Sequence, residues 1–137
     1  MTRVLVDSNV ILDVATNDPD WSDWSANALE SVANRSSLAI NALIYAEVSI
    51  AFSRIEDLEQ ALPSALYHRA VLPYEAAFLA GKAFVKYRRR GGVRTAPLPD
   101  FYIGAHAAVA GFRLLTRDTK RYRTYFPSVE LIGPEPE

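Results

Sequence analysis

Apolar residues in this chain follow two rhythms: short unbroken runs, and stretches where they recur every third or fourth position. Val4-Leu5-Val6 is a short, mostly β-branched run that predicts a strand ending at Asp7. Ser8-Asn9 then opens a segment with apolar positions at Val10, Ile11 and Val14, the spacing of a helix face. Asp18-Pro19-Asp20 punctuates the chain, and Trp21 to Ala33 reads as a second helix with Trp24, Ala28, Leu29 and Val32 near one stripe. Leu38-Ala39-Ile40 predicts the next strand. Asn41 is placed to cap a helix from Ala42 to Ser53, another helix runs from Ile55 to Leu62 before Pro63, and Ala70-Val71-Leu72 predicts a short strand.

The second half keeps the alternation. Glu75 to Arg90 has helical spacing at Phe78, Leu79 and Ala83 and turns basic toward its end, where cations suit the helix dipole; Gly91-Gly92 stops it. A loop holding Pro97 and Pro99 leads to an alanine-rich helix from Asp100 to Gly111, then a strand at Arg113-Leu114-Leu115-Thr116 followed by Asp118. A short basic, aromatic turn from Lys120 to Phe126 precedes a last strand over Val129 to Ile132. Strands alternating with helices, and too apolar to have a wet face, predict an α/β fold with a parallel sheet covered by helices on both sides. Ligands of such sheets gather beyond the carboxyl ends of the strands, where Asp7 and Asp118 fall.

At 137 residues, half of them apolar, the chain suits one domain, expected over residues 1–133 with a short tail at 134–137. The absence of cysteine excludes a disulfide framework and a thiolate metal site, and fits a reducing cytoplasm. No apolar stretch suggests a secretory leader or membrane span, so the expectation is a soluble cytoplasmic protein. The formal net charge of -1 hides an uneven distribution. From Lys82 to Arg123 the only acids are Asp100 and Asp118, amid eleven lysines and arginines. Such a region favours a polyanionic partner, with Lys82, Lys86, Arg88, Arg89, Arg90 and Arg117 the candidate residues to hold it.

Each acid at a strand or helix end has a plain alternative. Asp7 and Asp118 can act as helix caps, and Asp100 can be an acid favourably placed at a helix N-terminus. Glu47 is harder to dismiss: its helical neighbours Leu43, Ile44, Ile50 and Ala51 are apolar, which puts its carboxylate on or beside a buried face. If Asp7, Glu47, Asp100 and Asp118 converge, their mutual repulsion requires protons or a metal. Oxygen-only ligands select a hard cation, magnesium with manganese as a substitute, and such an ion suits phosphodiester cleavage by an activated water.

The segments VLVDSNVILDV, NALIYAEVSIAF, LPDFYIGAHAAVAG and LLTRDTKRYRTYFPSVELI, in that order, resemble the PIN domains, and more narrowly the VapC-type toxins of toxin–antitoxin pairs. The resemblance spans nearly the whole chain. It implies a three-layer α/β/α sandwich and a metal-dependent endoribonuclease whose acids are Asp7, Glu47, Asp100 and Asp118. Ser8 and Thr116 match hydroxyls that help arrange the site. It also implies an RNA substrate such as transfer or ribosomal RNA, a homodimer and a cognate antitoxin. One departure follows Asp118, where Thr119-Lys120 stands in place of a second acid found in some PIN domains. Two other classes compete with this reading: an aspartate-based phosphatase, disfavoured because Ser8-Asn9 follows Asp7, and a non-catalytic RNA- or protein-binding module. His106 and His68 read as packed or surface residues, Asp13 as pointing away from Asp7, and Trp21, Trp24, Tyr122, Tyr125 and Phe126 as packing.

Overall fold

The structure, a computed structural model, describes residues 3–95 and 98–134. Pro97 and the end of the expected tail lie outside them. The elements run β1 (Arg3–Val6), α1 (Ser8–Ala15), α2 (Ser22–Arg35), β2 (Ser37–Ile40), α3 (Ala42–Ser49) and α4 (Ile55–Ala61). They continue with β3 (Tyr67–Arg69), α5 (Tyr74–Arg89), α6 (Pro99–Ala110), β4 (Arg113–Leu115), α7 (Lys120–Tyr125) and β5 (Leu131–Ile132). Among the described residues, five strands form one sheet in the order β3-β2-β1-β4-β5, every neighbouring pair parallel. Helices flank this sheet in the expected α/β/α arrangement.

The unbroken apolar runs are the strands that are buried on both faces. Val4, Leu5 and Val6 are fully buried, as are Leu114 and Leu115 opposite them across the ladder. The chain leaves β1 toward β2 on one side and later returns to β4 on the other, so the order reverses between β1 and β4. A crevice opens at such a reversal beyond the carboxyl ends of the two strands. The ladder also sets what faces it: the Asp7 N–H donates to the Leu115 carbonyl at 2.9 Å, which places Asp7 beside Thr116.

Several local expectations shift. The third strand is Tyr67–Arg69, ahead of Ala70–Leu72, because the Tyr67 N–H closes a turn on the Pro63 carbonyl and the chain pairs with β2 at once. Helix α3 ends at Ser49 instead of Ser53. Ile50, Ala51 and Phe52 each bond three residues back, the tighter geometry of a closing turn, and Ile50 and Ala51 face solvent. In α5 the buried face is Ala76, Ala80 and Ala83, with Phe78 exposed; small side chains let α5 pack closely on α6. Lys120–Tyr125 is a helical turn, with Tyr122 and Phe126 buried one turn apart. Phe126 lies where a Cβ on Gly104 of α6 would stand, so this glycine lets α7 settle against the domain.

Candidate active site

Asp7 follows β1 directly and is 3% exposed. It occupies the N-cap position of α1 without making a side-chain cap bond, so capping does not account for it. Its carboxylate is instead the hub of a hydroxyl network. Oδ2 accepts from Thr116 Oγ1 at 2.9 Å and from the Tyr122 hydroxyl at 2.9 Å, while Ser8 Oγ lies 3.5 Å from Oδ1. No cation pairs with it among the described residues. Burial, followed by the charge of Asp100, pushes its pKa up to about 6; the Tyr122 and Thr116 bonds only partly oppose this.

The other three acids reach this hub through different elements. Glu47, half-buried on α3, accepts from Ser8 Oγ at 2.9 Å, so one hydroxyl stands between Glu47 and Asp7. Burial raises its pKa, with the Ser8 bond opposing and the Asp100 charge adding. Asp100 lies in the first turn of α6 after Pro99, a residue suited to helix starts. Its Oδ1 is 3.4 Å from the Tyr122 hydroxyl and its Oδ2 is 3.4 Å from Arg121 Nη1. Burial raises the Asp100 pKa against the opposing charge of Arg121, and Asp118 raises it further. Asp118 is exposed at the rim of the crevice, its backbone N–H donating to Thr116 Oγ1 at 3.1 Å. Asp7, Glu47 and Asp100 thus form one electrostatically coupled cluster, with Asp118 at its edge.

The donors around the crevice are all oxygen, the type a hard divalent ion takes. In this arrangement those oxygens are turned to hydroxyls and to Arg121. Among the described residues, no three or more Asp, Glu, His or Cys side chains stand where they could share an ion. The donor chemistry fits a magnesium-type cation; the side-chain placement is that of a hydrogen-bonded cluster.

Two residues of the site are not evident from motif spacing. Tyr122 is 1% exposed, and its hydroxyl reaches both Asp7 and Asp100. Burial, then the charges of Asp7 and Asp100, holds its pKa well above the usual tyrosine value. Its phase with Phe126 in a helical turn is the signal the sequence offers. Asn9 donates to Thr116 Oγ1 at 3.3 Å and accepts from the Arg117 N–H at 3.4 Å, tying α1 to the end of β4.

The expected RNA-binding residues divide. Lys82, Lys86 and Arg90 recur every fourth residue and make one exposed stripe on α5, with Arg89 beside it. Arg88 is exposed but donates to the Arg94 carbonyl at 2.7 Å, bracing the loop after α5. Arg117 departs from expectation: its Nε donates to Asp13 Oδ2 at 2.8 Å and its guanidinium lies 5.4 Å over the Trp21 ring, so its charge is engaged inside the protein. His106 is buried and hydrogen-bonded to Asn41, which caps α3; burial lowers its pKa. His68 is exposed on β3. No helix among the described residues is long and apolar enough to cross a membrane.

A parallel α/β domain with carboxylates gathered at the strand-order reversal defines the class to which this chain belongs. The model of the PIN domain matches residues 4–127, and the chain is a member of the PIN-domain family. Solved structures share the fold over nearly their whole lengths. A chain of VapBC2 from Rickettsia felis bound to a promoter DNA fragment superposes with a TM-score of 0.73 at 18% identity, covering 98% of this chain and 100% of that one. A chain of VapBC-1 from nontypeable Haemophilus influenzae gives 0.72 at 16% identity, covering 96% and 98%. A chain of a toxin–antitoxin complex from Klebsiella pneumoniae gives 0.65 at 23% identity, covering 92% and 94%. The curated proteins contain no sequence match to this chain.

Proposed function

We propose that this chain is a divalent-metal-dependent endoribonuclease and the toxin half of a toxin–antitoxin pair. The observation that carries this reading is Asp7: a buried acid at the switch point, coupled to Asp100 and Glu47, with no cation paired to it among the described residues. A buried charge without a counter-ion costs stability, and a bound divalent ion would offset that cost. Asp7 and Asp100, with Glu47 and Asp118, would hold a magnesium or manganese ion. Bound there, such an ion supplies a water of lowered pKa and a counter-charge for the phosphoryl oxygens.

The chain's own residues have separable tasks. Ser8 and Thr116 orient Glu47 and Asp7 through single hydroxyl bonds, and Tyr122 keeps Asp7 and Asp100 within reach of one another. Arg121, 3.4 Å from Asp100, offers a cation where an anionic backbone would otherwise meet only acids. The Lys82-Lys86-Arg90 stripe extends that attraction along α5. A cognate antitoxin and a homodimer belong to the same reading, the antitoxin supported by fold neighbours that are chains of toxin–antitoxin complexes. A phosphoryl-accepting role for Asp7 is disfavoured, since its carboxylate is buried under three hydroxyls.

Purified protein should cut total RNA in magnesium or manganese, stop on addition of EDTA, and lose cleavage to background as Asp7→Asn or Asp100→Asn. Equal cleavage by the wild type and the folded Asp7→Asn variant, or indifference to EDTA, would overturn the proposed chemistry. Induced expression should arrest a host cell, and Asp7→Asn should abolish the arrest.

A further inference from the structure

Next to the acids, between α5 and α7, lies a cleft of about 510 Å³ lined by Tyr87, Arg90, Asp118, Lys120, Arg121 and Tyr125, among others. We propose that this cleft is a substrate subsite for one unpaired nucleotide adjoining the scissile phosphate. Lys120 and Arg121 hold its phosphate, and its base stacks on the Arg90 guanidinium. The proposal deepens the nuclease reading and rests on it.

Four observations converge. The volume lies within the ~300–1,000 Å³ range of clefts that take small organic ligands. The cleft communicates with the acids, since Asp118 belongs to both and Arg121 Nη1 is 3.4 Å from Asp100 Oδ2. Its cations are available: Arg90 and Lys120 are exposed and have no carboxylate within ion-pair reach among the described residues. Finally, Arg90 has an aromatic neighbour within cation–π distance. Its guanidinium lies 5.5 Å over the Tyr125 ring, and Tyr125 meets the fully buried Phe101 edge-on at 5.2 Å.

That aromatic support distinguishes a subsite from a merely basic surface. A free arginine loses side-chain entropy when a base stacks on it, whereas one already drawn to an aromatic ring loses less. Bases stack on guanidinium planes only once they have left their own helical stack, so the cleft selects single-stranded or looped RNA over a duplex. The Lys82-Lys86-Arg90 stripe ends at the cleft and gives the neighbouring phosphates a track toward it.

Binding is best measured in the Asp7→Asn background, which blocks cleavage, using a short mixed-sequence RNA strand carrying 2-aminopurine and, for comparison, a blunt RNA duplex. The single strand should bind more tightly, and its emission should rise as the base leaves its neighbours for the cleft. Arg90→Ala with Lys120→Ala should weaken single-strand binding tenfold or more. The slope of log affinity against log salt should fall by about 0.7, for the phosphate that Lys120 no longer neutralises. Arg90→Lys should preserve the slope but lose that rise and about tenfold in affinity, since it keeps charge and removes the plane. An unchanged slope and affinity in the double variant, or an undiminished rise in emission in Arg90→Lys, overturns the subsite. If wild-type protein still cleaves RNA in that case, the nuclease reading survives alone. If wild-type protein cleaves nothing while binding remains dependent on Arg90, the nuclease reading fails and the nucleotide site stands.

Discussion

Asp7 and Asp13 stand one at each end of the first helical segment, 3% and 2% exposed, and the protein treats them oppositely. Asp13 Oδ2 receives Arg117 Nε at 2.8 Å and Ser25 Oγ at 2.7 Å, a pairing that answers its charge within the fold. Asp7 receives hydroxyls alone and faces two further carboxylates. Burial is therefore no guide to role. What separates the two acids is whether the chain itself supplies the counter-ion.

The largest stability effect should come from the compensated partner. Asp13→Ala removes the carboxylate paired with Arg117 and leaves Ser25 Oγ, which is fully buried, without its acceptor. Breaking a buried ion pair costs about 3–5 kcal/mol; because the Arg117 side chain is 31% exposed, about 2–3 kcal/mol is expected. Urea denaturation measures it. A loss below about 0.5 kcal/mol, the effect of an ordinary surface change, would erase the distinction between the two aspartates.

Asp7→Asn should move stability the other way. The unfolded chain releases this proton near pH 3.8 and the folded protein holds it to about pH 6. Below both values Asp7 is neutral in either state and adds no penalty. As pH rises from about 4 to 6, the unfolded state ionises first, so wild-type stability falls; above about 6 the full cost is present. The interval corresponds to about 3 kcal/mol at most. An asparagine whose carbonyl oxygen takes the Oδ2 position keeps the Thr116 and Tyr122 bonds and gives up only the weak Ser8 contact at 3.5 Å, so a net gain of about 1–2 kcal/mol at pH 7.5 without divalent ions is expected. The gain should shrink to nothing near pH 4. Melting curves across that range test it, and a gain independent of pH would refute the charge argument. Magnesium should raise the melting temperature of the wild type and leave Asp7→Asn unmoved.

The sequence makes one side of this comparison legible and hides the other. The runs Val4–Val6, Leu38–Ile40 and Arg113–Leu115 can be read as strands because burial on both faces leaves no polar position in them beyond the ends. Their parallel arrangement, and hence the place of Asp7 beyond a strand's carboxyl end, follows from the alternation with helices, whereas the order β3-β2-β1-β4-β5 is not written in local spacing. Glu47 stands out as an acid among apolar neighbours, although α3 ends sooner than its apolar pattern suggests and Ile50 is 85% exposed. Asp13 gives no such signal, since its partner Arg117 is 104 residues away. Local spacing cannot report a pairing made by the sheet. For the same reason Arg117 reads in sequence as one more basic residue, and Tyr122 as packing: the tyrosine's bonds to Asp7 and Asp100 span 115 and 22 positions. The β3 shift has a different origin. Tyr67-His68-Arg69 looks polar because it is an edge strand, with only Tyr67 buried.

The smallest effect isolates geometry from charge at the compensated site. Arg117→Lys retains a cation for Asp13 but loses the flat guanidinium above Trp21 and the directed Nε–H bond. An arginine over an aromatic ring at a partly exposed position is worth about 0.5–1 kcal/mol, so a loss of that order is expected in urea denaturation. RNA affinity should stay unchanged, because this cation is engaged with Asp13 and is not part of the stripe on α5. Lys86→Ala, which disturbs no such pair, should do the reverse: stability within about ±0.5 kcal/mol and a salt slope lowered by about 0.7. If instead Arg117→Lys weakens RNA binding while stability holds, Arg117 belongs with the substrate-facing cations and Asp13 is compensated by Ser25 alone. The same pair of measurements therefore decides which of the two acidic regions owns this arginine.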